Sequence, residues 1–548
     1  MIKEIQIIIG GAAGEGSKKA GLIIAKLFNL YGFHVFIHED YCSVIKGGHN
    51  FSQISVSSRK KSAINEKIDF LLALNYDTIE KHKEKLKEDG ILIYDSEIEG
   101  DIDLEEDRAI KIPLSDIVNE AEGIPLMKNT ALVAAFSKIT GMKLEKIEET
   151  LRREFKKETE KNLEVARLAY QKSEKKREIE EEKDEFLPLF CGNHAVALGA
   201  IDAGLENYFA YPMTPSTGVL QFLSNVKGIR TFQPESEIAV INAGIGSAYT
   251  GRRTMIGTSG GGFALMTEGV SLSAISETPL LIVMSQRMGP ATGVPTYQAQ
   301  GDLLFTLFSG HGDMMRFVVA PGDATDCYYL AGEALNIAWR YQMPAILLLD
   351  KEISENTYEL ETKERVKKED IIKAEGDAEN YNRYEGEDIS PLLFPGEGGV
   401  VKATGYEHDK KGVATEDAEK VKEMVEKRIR KHEKLKEELR EKETIKVENR
   451  DAKTAVIFWG STKGAMLEAT KDMDLRLIQI IVVQPFPEEK IKEALKGVEK
   501  IICVETNATG QMAQALSMHG VKSDEKILKY NGRPFFVEEL KRELEKIV

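Results

Sequence analysis

Cysteine is scarce in this chain of 548 residues, which contains only Cys42, Cys191, Cys327 and Cys503. These residues lie far apart and form no C-x-x-C pair, so the sequence lacks the usual spacings of zinc and iron–sulfur ligands. Four free and mostly buried thiols are therefore expected, and no metal site is predicted within this chain.

Long apolar stretches are also missing. No run approaches the roughly 18 apolar residues that a membrane-spanning helix needs. The first eleven residues alternate like a strand that runs into a glycine turn, and they do not have the pattern of a signal peptide. We therefore expect a cytoplasmic protein with no membrane partner.

Positive charge is in deficit, with 74 Lys and Arg against 90 Asp and Glu and a formal net charge of −16 at pH 7. An acidic surface opposes binding to nucleic acids and to anionic membranes, so neither is an expected partner. The hydrophobic share of 42% and the charged share of 30% are typical of a globular protein. The length indicates about three or four domains.

Strand-like and helix-like patterns alternate along most of the chain. They predict an α/β protein made of three doubly wound parallel-sheet domains with charged helical linkers. Residues 173–185 contain a single apolar side chain, Ile179, and therefore mark a boundary. The predicted divisions are a first domain at 1–172, a charged linker at 173–187, a second domain at 188–360, a charged and irregular connection with one helix at 361–450, and a third domain at 451–548.

The sequence Tyr-Pro-Met-Thr-Pro-Ser at residues 211–216 is the most informative segment. Its two prolines fix the backbone around Thr214, because proline locks its own φ and restricts its predecessor. The segment follows a predicted strand, and open α/β sheets bind ligands at the carboxyl ends of their strands. A strand-ending turn without a ligand is the alternative interpretation.

Two charged residues stand at the ends of predicted elements, Glu237 at the start of a helix and Arg287 at the end of a strand. Glu237 opens a helix rich in small residues, and an acid there ordinarily compensates the helix dipole. Tight packing of those small residues would instead bury Glu237, which would then need a partner that shares its proton. Arg287 follows a second apolar strand, and its planar fork suits either a carboxylate ligand or a structural salt bridge.

The glycines Gly11, Gly14 and Gly16 lie between the first strand and the first helix. Such a loop lets the backbone approach an anion at the helix N-terminus. It matches neither G-x-G-x-x-G nor the P-loop, because Ser17 precedes Lys18 instead of following it. A phosphate-bearing ligand and a tight structural turn both remain open for this loop. In the loop that carries Lys46 and His49, the two side chains could contact a phosphate or a partner, or His49 could be a surface hydrogen-bonding residue.

Together these motifs resemble the α subunit of the 2-oxoacid:ferredoxin oxidoreductases, with a γ domain fused at the N-terminus. The family hallmark G-N-E-A … Y-P-I-T-P-S corresponds to residues 192–195 and 211–216, although His194 replaces the common Glu and Met213 the common Ile. The γ-domain motif at residues 41–53 precedes this hallmark, and the other family motifs follow it in order at residues 236–237, 258–262, 286–290, 504–507 and 532–535. The three domains would then be γ-like, a thiamine-type pyrimidine-binding domain and a transketolase C-terminal-like domain.

The resemblance implies thiamine diphosphate as the cofactor. The α chain would hold its aminopyrimidine, and a separate β subunit would hold the diphosphate, Mg²⁺ and a [4Fe-4S] cluster. Coenzyme A would be a substrate, ferredoxin the electron acceptor, and the assembly a dimer of αβ heterodimers. The absence of a G-D-G … N motif and of a cysteine cluster from this chain agrees with that division.

The resemblance also assigns roles to residues. Glu237 would hydrogen-bond N1′ of the aminopyrimidine, Thr214 would position the substrate's carbonyl or carboxylate, and Arg287 would pair with a substrate carboxylate. These three are the expected catalytic residues. The expected pyrimidine-side residues are Tyr211, Pro212, Thr214, Glu237, Ser259, Gly260 and Gly261, and the candidate coenzyme A residues are Gly11, Gly14 and Gly16.

Two alternatives compete with this interpretation. Other thiamine-dependent enzymes, such as transketolase-like chains and oxoacid decarboxylases, lack the γ-like N-terminal region. A regulatory scaffold that binds coenzyme A or a nucleotide could keep a non-catalytic thiamine-type domain, but the retained Glu237, Thr214 and Arg287 argue against it. The 2-oxoacid stays open among pyruvate, 2-oxoglutarate, branched-chain and aryl substrates.

Overall fold

The computed structural model describes residues 4–42, 48–180, 186–374 and 380–548. In these ranges the chain forms strands β1 to β20, helices α1 to α18 and two short 3₁₀ helices, Lys83–Lys85 and Pro125–Met127. The strands are β1 (Glu4–Ala12), β2 (His34–Tyr41), β3 (His49–Ser57), β4 (Ile68–Ala73), β5 (Leu86–Asp95), β6 (Ala109–Ile112), β7 (Leu189–Cys191), β8 (Asn207–Ala210), β9 (Arg230–Phe232), β10 (Thr254–Thr258), β11 (Leu280–Gln286), β12 (Phe317–Val319), β13 (Pro344–Asp350), β14 (Thr357–Glu359), β15 (Ile445–Glu448), β16 (Thr454–Trp459), β17 (Arg476–Ile480), β18 (Val482–Gln484), β19 (Lys500–Glu505) and β20 (Glu525–Leu528).

The helices cover both faces of the sheets and vary widely in length. They are α1 (Ser17–Leu30), α2 (Tyr76–His82), α3 (Leu114–Glu120), α4 (Lys128–Ile139), α5 (Leu144–Glu154), α6 (Thr159–Gln171), α7 (Gly192–Asp202), α8 (Thr217–Leu223), α9 (Glu237–Tyr249), α10 (Gly260–Ile275), α11 (Leu303–Phe308), α12 (Ala324–Tyr341), α13 (Lys351–Glu355), α14 (Ala418–Arg440), α15 (Thr462–Ala469), α16 (Glu488–Ala494), α17 (Gln511–Met518) and α18 (Val537–Glu545). Within the described ranges no helix is long and apolar enough to cross a membrane.

The first sheet is mixed, with the strand order β6-β5-β4-β1-β3-β2-β14-β7. Its strands β1, β4, β5 and β6 are parallel, as predicted. Strand β3 is antiparallel to both β1 and β2, which the sequence analysis did not anticipate. The physical reason is the short connection between β2 and β3, because a parallel pair needs a crossover of about a dozen residues or more.

The second sheet has the order β18-β12-β13-β11-β10-β8-β9 and is parallel except for β18 at its edge. All seven residues of β11, Leu-Leu-Ile-Val-Met-Ser-Gln, are buried. A nearly continuous apolar run of this kind is typical of a parallel strand that is covered by helices on both faces. Strand β18 comes from the C-terminal region, so the second and third regions share a sheet edge.

The third sheet has the order β15-β17-β16-β19-β20, with β15 antiparallel and the other pairs parallel. The chain thus forms three parallel-rich sheets, in agreement with the predicted α/β class. Strands β7 and β14 lie at the edge of the first sheet although they belong to residues 188–360. The three regions are therefore interlocked through their sheet edges.

The charged segments between these regions are packed against them. In the first linker, residues 173–180 form no helix, but the amides of Lys176 and Arg177 donate to the Ile139 oxygen and Ile179 is buried. In the second connection, α14 docks through buried charges. Lys427 and Lys431 each lie 2.8 Å from the Glu277 carboxylate, just beyond the end of α10.

Candidate active site

The site lies at the carboxyl ends of β8, β10 and β11, which are parallel neighbours in the second sheet. The segments that follow these strands contain Thr214, Ser259 and Arg287. Because parallel strands end at the same edge, their next residues meet in one cleft. Glu237 enters the cleft as the first residue of α9, which follows β9.

Arg287 is joined to the Pro-x-x-Pro turn. Its Nη1 donates a 2.8 Å hydrogen bond to the main-chain oxygen of Thr214. Burial lowers the pKa of Arg287, and the negative charge of Asp302 opposes that effect. The guanidinium has five N–H donors, and this is its only hydrogen bond to the described residues, so donors remain for a ligand.

The turn itself is held by the other half of the hallmark sequence. Asn193, in the first turn of α7, donates from Nδ2 to the Pro215 oxygen at 2.8 Å. Within the turn, the Ser216 hydroxyl donates to the Met213 oxygen at 2.7 Å. These two bonds fix Thr214 from both sides, while Tyr211 and Pro212 stay exposed at the rim of the cleft.

His194, the departure from the family pattern, packs against an aromatic ring. Its ring centroid lies 4.8 Å from that of Phe222 on α8. Burial and the charge of Lys18 lower the pKa of His194. The neutral imidazole therefore replaces the common Glu as a packing group, and Lys18, in the first turn of α1, is close enough to act on it.

Glu237 is buried, with 6% of its surface exposed. The N-cap Ser236 accepts a 3.3 Å hydrogen bond from the Ala239 amide, which fixes the start of α9. The Glu237 side chain lies against Gly262, where a built Cβ would be 2.7 Å from Oε1. A side chain at residue 262 would meet both Glu237 and the Thr258 hydroxyl, so the glycine leaves room for the carboxylate beside α10.

The segment Ser259-Gly260-Gly261 opens α10 and forms the floor of the cleft. The Ser259 hydroxyl is fully buried and has no hydrogen-bond partner in the described structure. A buried hydroxyl without a partner next to the N-terminus of a 16-residue helix is a ready donor to a polar ligand. The Cβ position of Gly261 faces Met213 Cε at 3.6 Å, so a flat group would be bounded there by a thioether.

Three family models match successive parts of the chain. They are described as Pyruvate ferredoxin/flavodoxin oxidoreductase over residues 6–172, Pyruvate flavodoxin/ferredoxin oxidoreductase, thiamine diP-bdg, over residues 198–427, and Pyruvate:ferredoxin oxidoreductase core domain II over residues 452–540. The chain is 30% identical to the 2-oxoacid:ferredoxin oxidoreductase subunit alpha of Saccharolobus solfataricus, over 99% of this chain and 98% of that protein. It is 31% identical to subunit alpha of 2-oxoacid:ferredoxin oxidoreductase 2 of Aeropyrum pernix, over 97% of this chain and 96% of that protein.

The chain belongs to the 2-oxoacid:ferredoxin oxidoreductase family. Its structure also matches the 2-oxoglutarate:ferredoxin oxidoreductase of Magnetococcus marinus, solved with 2-oxoglutarate, coenzyme A and succinyl-CoA bound. The TM-score is 0.89 at 28% identity, and the match covers 100% of each chain. The resemblance and the fold class predicted from the sequence are thereby confirmed, and an enzyme subunit is favoured over the regulatory scaffold.

In this oxidoreductase subunit the third region supports the cleft. Gln300 is anchored by the C-terminal motif: its amide donates to the Thr506 oxygen at 2.8 Å, and Asn507 Nδ2 donates to its oxygen at 3.1 Å. The other C-terminal motif contributes Arg533, which lies 3.8 Å from the centre of the Tyr297 ring. Both motifs therefore position the segment that follows Arg287.

Asp302 is a site residue of the oxidoreductase subunit that sequence reasoning missed. It stands just before α11, and its Oδ2 would lie 2.3 Å from a Cβ built on Gly260. Burial raises the pKa of Asp302 to about 6, and the charge of Arg287 acts in the opposite direction. The sequence signal was an acid at a helix start, which is too common to single out.

The glycine loop lies at the carboxyl end of β1 in the first sheet. Gly16 has φ 80° and is the N-cap of α1 without a side-chain cap, so the first amides of that helix lack a capping side chain. Glu15 accepts the Ala12 amide at 2.6 Å and thereby uses one donor of the loop. Gly14, with φ 99°, has nothing within 4 Å of its Cβ position.

His49 lies beside this loop, opposite Ala12 in the pairing of β1 with β3. Its Nε2 is 2.8 Å from Nε2 of His82. Burial, with the charge of Lys85, lowers the pKa of His82 to about 2, so this pair is a neutral hydrogen bond. Lys46, the other polar residue singled out in this motif, lies outside the described residues.

Metal ligands are not grouped in the described ranges, where no cluster of three or more His, Cys, Asp or Glu side chains could hold an ion. The polar groups of the cleft can instead be compared with the organic part of a cofactor. Three groups of the cleft fit the polar edge of an aminopyrimidine: the buried carboxylate of Glu237, the unpartnered hydroxyl of Ser259 and the helix start at Gly260. Tyr211 and Pro212 supply the exposed rim.

Proposed function

We propose that this chain is the α subunit that binds the aminopyrimidine half of thiamine diphosphate in a 2-oxoacid:ferredoxin oxidoreductase. The complete enzyme would oxidatively decarboxylate a 2-oxoacid to acyl-CoA and CO₂ and pass the electrons to ferredoxin. The observation that carries the proposal is the convergence of Glu237, Thr214 and Arg287 on one cleft at the ends of parallel strands.

Glu237 is assigned to the proton at N1′ of the aminopyrimidine. Its side chain is buried and lies against Gly262 in the first turn of α10. A positioned carboxyl group that shares a proton with a ring nitrogen acts as a general acid–base. Thiamine diphosphate, when bound, supplies the carbon nucleophile and the electron sink for loss of CO₂.

Arg287 and Thr214 are assigned to the 2-oxoacid. Arg287 keeps one N–H on the Thr214 oxygen and directs its remaining donors to a carboxylate, for which its planar fork is suited. The Thr214 side chain would orient the 2-oxo group next to it. Burial of the guanidinium strengthens such a pair, because the pocket holds less competing water.

A partner subunit is proposed to complete the site. Large apolar side chains flank the cleft and are exposed in this chain: Phe232 at 62%, Ile238 at 52% and Leu265 at 53%. An apolar surface around a polar cleft is typical of a protein–protein interface. We assign it to a β subunit that carries the diphosphate site, Mg²⁺ and the [4Fe-4S] cluster, in a dimer of αβ heterodimers located in the cytoplasm.

Coenzyme A is proposed to bind at the glycine loop of the first region, near Gly11, Gly14 and Gly16. The uncapped start of α1 supports this assignment, because helix amides and the helix dipole favour a phosphate there. The acidic Glu15 within the loop opposes it, so the phosphate would have to approach from the Gly14 side.

The test compares the purified chain with the chain co-expressed with its partner subunit. The isolated chain should bind thiamine diphosphate weakly and reduce no ferredoxin, since no diphosphate–Mg²⁺ motif is present in its sequence. The co-expressed complex should release CO₂ from a 2-oxoacid in the presence of coenzyme A. Robust oxidation by the isolated chain would contradict the proposal.

A further inference from the structure

Asp302 has a defined position in the cleft, and the proposed reaction gives this residue no role. Its carboxylate lies against Gly260. A Cβ built on that glycine would be 2.3 Å from Oδ2 and 3.1 Å from Oδ1 of Asp302. Gly260 is the first residue of α10, directly after the unpartnered Ser259. The acid thus lies over the floor of the cleft.

The position of Asp302 is set by the segment before it. The Gln300 side chain donates from Nε2 to Asp350 and to the Trp459 oxygen and accepts the Thr506 amide at 3.0 Å. The Asp302 amide donates to Gln286 Oε1 at 2.9 Å, at the end of β11. These contacts leave the backbone around Asp302 little freedom to move.

The charges around Asp302 come from few elements. Arg287 at the end of β11 is near enough for each group to act on the pKa of the other, although no direct ion pair joins them among the described residues. Glu237 of α9 lies against Gly262, two residues from Gly260. The facing residue of α17 is the neutral Gln511, which bonds to the Gly301 oxygen at 2.6 Å.

The state of Asp302 decides the net charge beside Arg287. With Asp302 ionised, its negative charge offsets the guanidinium and repels an incoming carboxylate. With Asp302 neutral, it no longer offsets the positive charge of Arg287, and binding of the anion is favoured. Because burial already disfavours the ionised form of Asp302, a bound carboxylate would raise its pKa further above about 6.

We propose that Asp302 is a positioning residue of the 2-oxoacid pocket, which takes up one proton from solvent when the substrate carboxylate binds Arg287. The inference rests on the proposed function, because it needs Arg287 to be the carboxylate site. Its consequence is that affinity for the 2-oxoacid falls as the pH rises. By linkage, the Kd should increase by up to about tenfold per pH unit above pH 6.

The experiment uses the complex of this chain with its partner subunit, loaded with thiamine diphosphate. Oxamate and N-oxalylglycine serve as unreactive analogues of a short and a dicarboxylic 2-oxoacid. Calorimetric titrations in buffers of different ionisation enthalpy count the protons taken up on binding. The wild-type complex should take up a proton near pH 7, while Asp302→Asn should take up fewer and bind more tightly than wild type at pH 8.

Asp313→Asn is the matched control, since Asp313 is exposed in the loop after α11 and should leave proton uptake unchanged. Unaltered proton uptake in Asp302→Asn would overturn the role of Asp302. Failure of the wild type to bind either analogue, or any branched-chain or aryl 2-oxoacid in the same titration, would overturn the proposed function together with that role. If Asp302→Asn does not fold, infrared difference spectra of the wild type with ¹³C-labelled aspartate test the proton uptake instead. Binding of the analogue must then add the band of a protonated aspartate carboxyl group. Absence of that band would overturn the inference.

Discussion

Arg287 donates from Nη1 to the main-chain oxygen of Thr214 at a distance of 2.8 Å. The two residues are 73 positions apart and follow two strands, β11 and β8, that are separated in the sheet only by β10. The contact links the proposed carboxylate-binding residue to the turn that positions the substrate. It also gives Arg287 a structural role beside the ligand-binding role that we propose for it.

Replacing Arg287 by alanine is expected to weaken 2-oxoacid binding by roughly 10- to 150-fold, as loss of a charge-assisted pair costs about 1.5–3 kcal/mol. Binding of coenzyme A should change much less. The measurement is the Kd of each substrate for the assembled complex. The control is Arg252→Ala, which removes an exposed arginine paired with Glu206 in the same region. Equal losses for both substrates would indicate that Arg287 only stabilises the turn.

Glu237→Gln is expected to abolish turnover while the complex still assembles. The amide cannot share a proton with N1′, and loss of a general acid–base typically costs a factor of about 10²–10⁴. Exchange of the C2 proton of bound thiamine diphosphate, followed by NMR, measures the effect directly. Glu235→Gln, two residues away and exposed, should exchange like wild type. An unchanged exchange rate in Glu237→Gln would mean that Glu237 only compensates the dipole of α9.

Gly262→Ala should displace the Glu237 carboxylate, because the new Cβ would lie 2.7 Å from Oε1 and 2.2 Å from the Thr258 hydroxyl. We expect a folded complex with strongly reduced C2 proton exchange. Gly246→Ala, on the exposed side of α9 with nothing within 4 Å of its Cβ position, should keep full exchange. It should even stabilise its helix by about 0.5–1 kcal/mol. A normal rate of C2 proton exchange in Gly262→Ala would show that the position of the Glu237 carboxylate does not depend on a glycine at residue 262.

Glu277→Gln is expected to destabilise the protein by about 3–5 kcal/mol, since it leaves Lys427 and Lys431 buried without their counter-charge. In the native protein these lysines hold the pKa of Glu277 below its usual range, in spite of burial, which acts to raise it. Chemical unfolding of wild type and variant measures the difference. Glu426→Gln, which removes the exposed partner of Lys422 one turn away on α14, should change the stability little. Similar stabilities for both variants would mean that the ion cluster does not fix α14.

Ferredoxin is expected to dock mainly on the partner subunit. Ferredoxins are generally acidic, and this chain has a formal net charge of −16, so their surfaces repel each other. Crosslinking of the reduced complex with ferredoxin, read by peptide mapping, checks this. A majority of crosslinks on this chain, above all in residues 361–450, would show that a local basic patch outweighs the net charge.

Much of the protein could be predicted from the sequence because the signals are local. Alternating strand-like and helix-like patterns predicted the α/β class, and the two prolines around Thr214 marked a rigid turn at a strand end. The ordered motifs indicated the family, which the comparisons confirm. The assignments of Glu237, Thr214 and Arg287 to catalysis stay predictions, although the structure brings the three residues to one cleft.

Only the tertiary structure decided the rest, because the deciding contacts join residues that are distant in sequence. Strand β3 runs antiparallel since a short connection forces it, and β7, β14 and β18 join sheets outside their own regions. The charge of Asp302 depends on Arg287 and on burial, neither of which a local pattern records. A sequence determines which side chains are available and where strands end, whereas burial and charge pairing arise only when separate strands and helices pack together.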